Sequence, residues 1–248
     1  MTADKIDRID DAASLHDHRF KYYDFAMAAF VAILICSNLI GAAKLVQLTE
    51  WKIGNWDVGV FGAGILFFPL SYVLGDVLTE VYGYARARRV VWAGFAAVLF
   101  MAFMAWIVVS MPPAPGWGGQ AAYEEVFGLT PRIVFASIVA FWAGELCNAF
   151  VMARMKVWSA GKHLWQRTIG STVVGQGVDS LLFYPIAFLG VWPTAQVVTV
   201  LFTNYLLKVL WEALLTPVTY RVVNTLKRIE GVDVYDKETD FSPFSVRS

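Results

Sequence analysis

Apolar residues fall into six long runs, 25–45, 58–82, 90–110, 133–153, 169–190 and 195–220, with short polar segments between them. Each run is close to the roughly 20 residues a helix needs to cross the hydrocarbon of a bilayer. The pattern predicts an all-α polytopic membrane protein with six transmembrane helices. A polar lead (1–22) precedes the transmembrane domain (23–221), and a charged tail (222–248) follows it. In the tail, VNTLKRIE extends the last helix. The loop 111–131 joins MPPAPGWGG to AAYEEVFGLTP, which reads as a turn-rich entry followed by a short interfacial helix.

Composition agrees with the pattern. The 248 residues are 58% hydrophobic and 16% charged, with a mean hydropathy of +0.55, too apolar for a soluble domain of this size. A net charge of zero leaves no nucleic-acid footprint. The distribution of charge says more. With both termini inside, 16 of the 20 Lys and Arg residues fall on the inner side, only Lys52 and Arg132 on the outer side, and Lys44 and Lys208 within spans. This is the positive-inside pattern, and it predicts an N-in, C-in arrangement. Trp51, Trp56, Trp117 and Trp192 at outer ends and Trp92, Trp158 and Trp165 at inner ends suit an interfacial belt. The lead mixes acids with bases and the first run exceeds a signal-peptide core, so the first span is expected to stay. Cys36 and Cys147 lie inside spans as small packing residues, with no disulfide or metal pattern.

Candidate chemistry lies in polar groups embedded in the spans. In FFPLSYVLGDVLTEVYGYARARR (67–89), Tyr72, Asp76 and Glu80 are spaced four apart and share one helix face. A carboxylate at bilayer depth costs about 2.5 kcal/mol or more, so this face is expected to look into protein or a polar cavity. Pro69 is expected to bend the helix, and Gly75 and Gly83 to permit close approach. Glu80 has a second reading, as an ion-pair partner of Arg86, Arg88 or Arg89 at the inner end. Trp142, Glu145 and Asn148 form a row in the fourth span, a ligand-binding row or an interhelical glue. In the fifth, Thr172, Gln176, Asp179 and Phe183 make one stripe beside Ser171 and Ser180, on a glycine-broken helix that suits a lined interior. In the sixth, Asn204, Lys208 and Glu212 recur every four residues, and Lys208 with Glu212 can also be read as a neutral structural pair. Lys44 near an outer end is read as snorkelling. The embedded surplus is acidic, which suits a cationic or donor-rich substrate, or proton coupling, and argues against anions. Two sets of three spans would have opposite topology, a 3+3 inverted repeat in which each middle span holds a carboxylate and a proline: Asp76 with Pro69, and Asp179 with Pro185.

The runs PLSYVLGDVLTEVYGYARARRVVWAGF, GQGVDSLLF and EGVDVYDKETDFSPF closely resemble the queuosine precursor transporter family, also grouped with vitamin uptake transporters. The resemblance covers nearly the whole chain, and its most specific element is D-x-x-x-E-x-Y-G at Asp76, Glu80, Tyr82 and Gly83. It implies uptake, across a bacterial inner membrane, of 7-deazaguanine precursors of a modified tRNA nucleoside (preQ0, preQ1 or queuine). It supports Asp76, Glu80, Tyr82, Gly83, Arg86, Gln176 and Asp179. The chemistry of the residues agrees. A deazaguanine offers a ring N–H and an amine to a carboxylate and a flat ring to Tyr72, Trp142 or Phe183.

The expected mechanism is secondary transport, with Asp76, Tyr72, Glu80, Glu145, Asn148, Gln176, Asp179 and Phe183 at the substrate and Arg86, Asn204, Lys208 and Glu212 in gating or coupling. The alternative is the substrate-binding component of an energy-coupling-factor vitamin transporter. The chain has no G-x-x-x-x-G-K-[ST], so ATP use would need a partner. No span contains a His, no metal-ligand spacing occurs and no nucleophile stands beside a base, so neither an enzyme nor a cofactor is expected. Six spans enclose a small cavity, which makes pairing into a homodimer a reasonable partner expectation.

Overall fold

The computed structural model describes residues 7–9, 20–41, 44–47, 49–50, 52–53, 56–57, 60–127, 131–236 and 242. The chain is mostly helical: α1 (Tyr23–Cys36), α2 (Phe68–Tyr82), α3 (Tyr84–Ser110), α4 (Gln120–Phe127), α5 (Pro131–Trp158), α6 (Leu164–Phe188) and α7 (Thr194–Glu230). Short strands accompany them: β1 (Asp7–Ile9), β2 (Leu45–Gln47), β3 (Lys52–Ile53), β4 (Trp56–Asp57), β5 (Val60–Gly62) and β6 (Val232–Val234). Among the described residues, five stretches are long and apolar enough to cross a membrane: Tyr23–Ile40, Ala63–Tyr82, Tyr84–Ser110, Phe135–Trp158 and Thr194–Glu230. The expected fifth span coincides with α6, which at 25 residues has the length. Its Thr172, Gln176, Asp179 and glycines keep it from matching the others in apolarity.

Three boundaries differ from the sequence expectation. The first span ends early: α1 runs into a π-helical turn, Ser37–Gly41, and the chain then pairs β2 with β5 antiparallel, Leu45 opposite Gly62. The second begins as strand β5 and a 3-10 turn (Ala63–Leu66) before α2 forms. Pro69 therefore lies in the first turn of α2, where a missing N–H costs nothing, and not at a mid-span bend. The third begins earlier, because only Gly83 separates α2 from α3. Gly83 has φ +85°, and a Cβ there would stand 2.8 Å from Val234 Cγ1, so both backbone and space require glycine. Arg86, Arg88 and Arg89 thus belong to the opening turns of α3. The interfacial helix expected in the 111–131 loop is α4, and VNTLKRIE does extend α7.

Packing leaves lipid-like faces outside and small or polar residues inside. Phe100, Phe103 and Trp106 of α3 and Phe202, Leu206, Leu210 and Leu214 of α7 are exposed. One apolar core holds Phe30, Val77, Leu78, Val81 and Val90 between α1, α2 and α3, and a second holds Tyr184, Phe188, Val197 and Leu201 between α6 and α7. The α6 end at the second core is closed by Arg132, whose guanidinium donates to Ile186 O and Leu189 O, each at 2.6 Å, supplying partners for terminal carbonyls. Helices α5 and α6 approach backbone to backbone: a Cβ on Gly175 would stand 2.8 Å from Gly144 O and 2.7 Å from Asn148 Cβ. Parallel pairing of β1 with β6, Asp7 opposite Val232, brings the two ends of the chain to one face of the bundle.

Gly175→Leu should wedge α5 from α6 and cost about 1–3 kcal/mol as overpacking does. Thermal melting of the detergent-solubilised protein measures it. A melting temperature equal to that of the wild type would show that the helices separate without strain.

Candidate functional site

Two polar assemblies occupy different depths of the bundle. The deeper one is built by α2, α5, α6 and α7, the helices that carry the embedded polar residues. Asp76 of α2 has no exposed surface and faces Glu212 of α7, with Glu145 and Asn148 of α5 as its other neighbours. Glu145 in turn neighbours Asp179 of α6 as well as Glu212, and its Oε1 lies so near Gly75 that a Cβ there would be 2.6 Å away. The glycines at 75, 144 and 175 are what let this row of acids lie between closely packed helices. Lys208 of α7 donates to Asp179 Oδ2 at 2.5 Å. Tyr184 stands beside Asp179 and Asn204, and Asn204 Nδ2 donates to Val200 O at 3.2 Å.

Many of these buried oxygens have no hydrogen-bond partner: both of Asp76, both of Glu212, Asn148 Oδ1, Gln176 Oε1, Thr172 Oγ1 and Ser180 Oγ. Buried polar atoms are normally paired, so a concentration of exceptions marks a place where a ligand, proton or water completes the set. Carboxylate and amide oxygens accept and cannot donate, and they outnumber the Thr172 and Ser180 hydroxyls, so the set is predominantly donor-seeking.

The second assembly sits at the end of the bundle where the chain termini meet, and its hub is Glu80. Glu80 Oε1 receives Arg167 Nη2 at 2.7 Å and Lys227 Nζ at 2.8 Å, with Lys156 Nζ at 3.5 Å. Lys156 also donates to Glu80 O at 2.8 Å, Val234 O at 2.5 Å and Asp233 Oδ1 at 2.9 Å, and Lys227 reaches Asp233 at 2.8 Å. Three acids spaced three apart in the tail complete the assembly. The carboxylate of Glu230 accepts the N–H groups of Lys21 (2.8 Å) and Tyr22 (2.9 Å) at the start of α1, together with the Tyr82 hydroxyl (3.1 Å). Asp233 holds the two lysines. Asp236 accepts the Tyr84 N–H at the start of α3 through both oxygens at 3.1 Å. Two tail carboxylates therefore cap two helix N-termini, where negative charge is favoured.

Set against the sequence expectations, Asp76, Glu145, Asn148, Asp179, Asn204, Lys208 and Glu212 come together, and Gln176 is buried on α6 with its Oε1 unpartnered. Glu80 lies one turn from Asp76 but in the other assembly, and its cations are Lys156, Arg167 and Lys227, not Arg86, Arg88 or Arg89. Arg86 instead lies over Phe20 and Tyr23, 4.3 and 5.8 Å from the ring centres, and Arg88 donates to Ser242 O at 2.6 Å. The Lys208–Glu212 pair is also replaced: across the helix interface Asp179 is the nearer acid, which leaves Glu212 to Asp76. Phe183 packs on Tyr184 and Phe188, with ring centres 5.1 and 5.7 Å away. Trp142 lies 6.1 Å from Trp92. Lys44 is exposed. The Tyr72 side chain, Trp51 and the tail beyond Asp236, Ser242 apart, lie outside the described residues. Sequence reasoning missed Tyr184, Lys156, Arg167, Lys227, Glu230 and Asp233. The cations served there only to set topology, and the one available signal was the regular spacing of acids in EGVDVYD.

A family model described as "Putative vitamin uptake transporter" matches residues 62–222. A "Probable queuosine precursor transporter" of Bacillus subtilis (strain 168) is 32% identical over 189 residues, covering 75% of this chain and 78% of that protein. The "Queuosine precursor transporter" of Escherichia coli (strain K12) is 26% identical over 125 residues, 50% of this chain and 54% of that one. A "Probable queuosine precursor transporter" of Haemophilus influenzae is 25% identical over 126 residues, 50% and 51% of the two chains. No solved structure matches.

Burial alone would raise the Asp233 carboxyl, but Lys156 and Lys227 more than offset it and hold it below the ordinary aspartate value. Its contribution to stability is therefore present in full above that ordinary value, about 3.9, and is lost as pH falls through the lower folded value. The melting temperature should fall on acidification below about pH 4, and Asp233→Asn should flatten the fall. Superimposable acid profiles would separate Asp233 from the stability of this end.

Proposed function

We propose, from the premise that this chain belongs to the vitamin uptake transporter family, that its cargo is a 7-deazaguanine precursor of queuosine. The chain is a transporter and not an enzyme. The observation that carries the cargo reading is the donor-seeking set between α2, α5, α6 and α7. A deazaguanine presents a ring N–H and an exocyclic amine on one edge, a pair that one carboxylate can accept in bidentate fashion. Asp76 and Asp179 flank the site, with Glu145, Asn148 and Gln176 between them. Tyr72 and Phe183 are the aromatic groups proposed to stack on the ring. An aminomethyl-bearing precursor would give its ammonium to a second carboxylate.

The proposed mechanism is alternating access. α1, α2, α3, α5, α6 and α7 make six crossings of a bacterial inner membrane with both termini in the cytoplasm, arranged as two inverted sets of three. In this reading the Glu80 assembly is the cytoplasmic gate. It ties together the ends of the same four helices whose middles hold the acceptors, so opening the site on that side requires breaking it. Glu80 and Arg86 then act on the gate, and Asn204, Lys208 and Glu212 on the coupling of gate to cargo. Pairing of two such chains into a homodimer belongs to the same proposal.

In cells unable to make or import queuosine precursors, expression of this chain with one precursor supplied should restore queuosine in tRNA. Asp179→Asn should insert normally yet lower uptake about 10- to 100-fold, the effect of losing a charge-assisted hydrogen bond. Undiminished uptake by that variant would take Asp179 out of the mechanism, and no rescue by any deazaguanine would overturn the cargo. Uptake by the purified chain alone in liposomes separates a secondary transporter from a component that depends on an ATPase partner.

A further inference from the structure

We infer that Asp76 and Glu212 form a binding site for a coupling proton, shared between their carboxylates. The inference deepens the transporter reading and rests on it only for the word coupling; the site itself stands on geometry. Both side chains have no exposed surface and face each other from α2 and α7; their four oxygens have no partner of good hydrogen-bond geometry, Asn148 being the amide that stands beside Asp76. Two acceptors in contact lack the donor that either one needs. If both carried charge, their mutual repulsion would add to the cost of desolvating each ion. One proton removes a charge and supplies the donor.

The groups around the pair do not provide another solution. From α5 come Glu145, a third acid, and Asn148, whose amide stands beside Asp76 and leaves Glu212 without a donor. From α6 comes Asp179, which neighbours Glu145 and is the residue that holds Lys208, the cation of this region. A metal ion is less suited: among the described residues no group of three or more His, Cys, Asp or Glu side chains could hold one. A proton requires only the two carboxylates.

The position of the pair makes its proton sensitive to conformation. Glu80 and Lys227, also on α2 and α7, hold the ends of these two helices together at 2.8 Å. When the helices part, the carboxylates separate, each gains water, and the shared proton leaves as a hydrated proton from the carboxylic acid. Proton affinity therefore differs between the joined and parted states, as coupling requires. Asp76 also flanks the proposed cargo site, so cargo and proton bias one another reciprocally.

Two measurements on the purified full chain test this. Infrared titration should reveal a protonated-carboxyl C=O band that diminishes in both Glu212→Gln and Asp76→Asn. In proteoliposomes loaded with an alkaline interior, a one-unit pH gradient should concentrate the precursor up to about tenfold, and either substitution should abolish accumulation. A band unchanged by both substitutions, or no band in the wild type, overturns the inference, and the wild-type spectrum decides should a variant fail to fold. Accumulation driven by a sodium gradient at equal pH overturns the coupling. A band that behaves as expected in a protein that moves no deazaguanine leaves the proton site standing and removes the cargo.

Discussion

The buried carboxylate of Glu80 is the interaction on which the closed end of this bundle depends. Arg167, Lys156 and Lys227 reach it from α6, α5 and α7, so a single side chain of α2 is bonded to three other helices. Removing one partner from a buried ion network leaves uncompensated charge and typically costs about 3–5 kcal/mol. The tail enlarges the network, because Asp233 shares both lysines and the residues on either side of it pair with β1 and cap α1 and α3. D-x-x-x-E-x-Y-G and EGVDVYD, some 150 positions apart in the chain, are therefore two halves of one construction. Glu80 meets the tail through Lys156 and Lys227, Tyr82 meets it through Glu230, and Gly83 leaves room for Val234.

Asp76 lies on the same face one turn away, yet its environment is opposite. Glu80 Oε1 has three cations; the oxygens of Asp76 face another acid. The difference arises from what the neighbouring helices present at each level. Lys156, Arg167 and Lys227 lie near helix ends, whereas Glu145, Asp179 and Glu212 lie in helix middles. Asp179 has Lys208, and among the described residues no ion pair reaches the remaining middle acids. Ion pairing thus concentrates at one end of the four-helix core, and unmet bonding capacity concentrates at its centre.

How far this was legible in the sequence follows from what periodicity encodes. Spacing of three or four shows which residues share a face, so the rows Asp76 with Glu80, Glu145 with Asn148 and Gln176 with Asp179 were readable. The extension of α7 and the helix in the 111–131 loop were readable as well. Periodicity does not show which residue of another helix lies opposite. Arg86, Arg88 and Arg89 are close to Glu80 in sequence, but the single-residue turn at Gly83 reverses the chain and carries them onto α3. Lys208 and Glu212 satisfy the one-turn rule, yet Asp179 across the α6–α7 interface takes the lysine. Pro69 was misplaced because the apolar run continues through β5 and the 3-10 turn, and hydropathy cannot separate strand from helix in a run that is apolar throughout.

A strong end and an unmet centre together limit how the molecule can move. Breaking the Glu80 network is costly, so in the proposed alternating-access cycle the state with this end closed is the favoured one. Reversing such a preference from 1:99 to 99:1 needs about 5.5 kcal/mol of differential binding. In the proposed cycle the centre is the source of that energy: cargo filling the set would give several buried acceptors donors at once, and each charge-assisted bond contributes about 1.5–3 kcal/mol. A few such bonds match the strength of the network. In that cycle the acids left unpartnered at the centre and the acid held by three cations at the end are complementary: donors gained at Asp76 and Glu212 act against the bonds that hold Glu80.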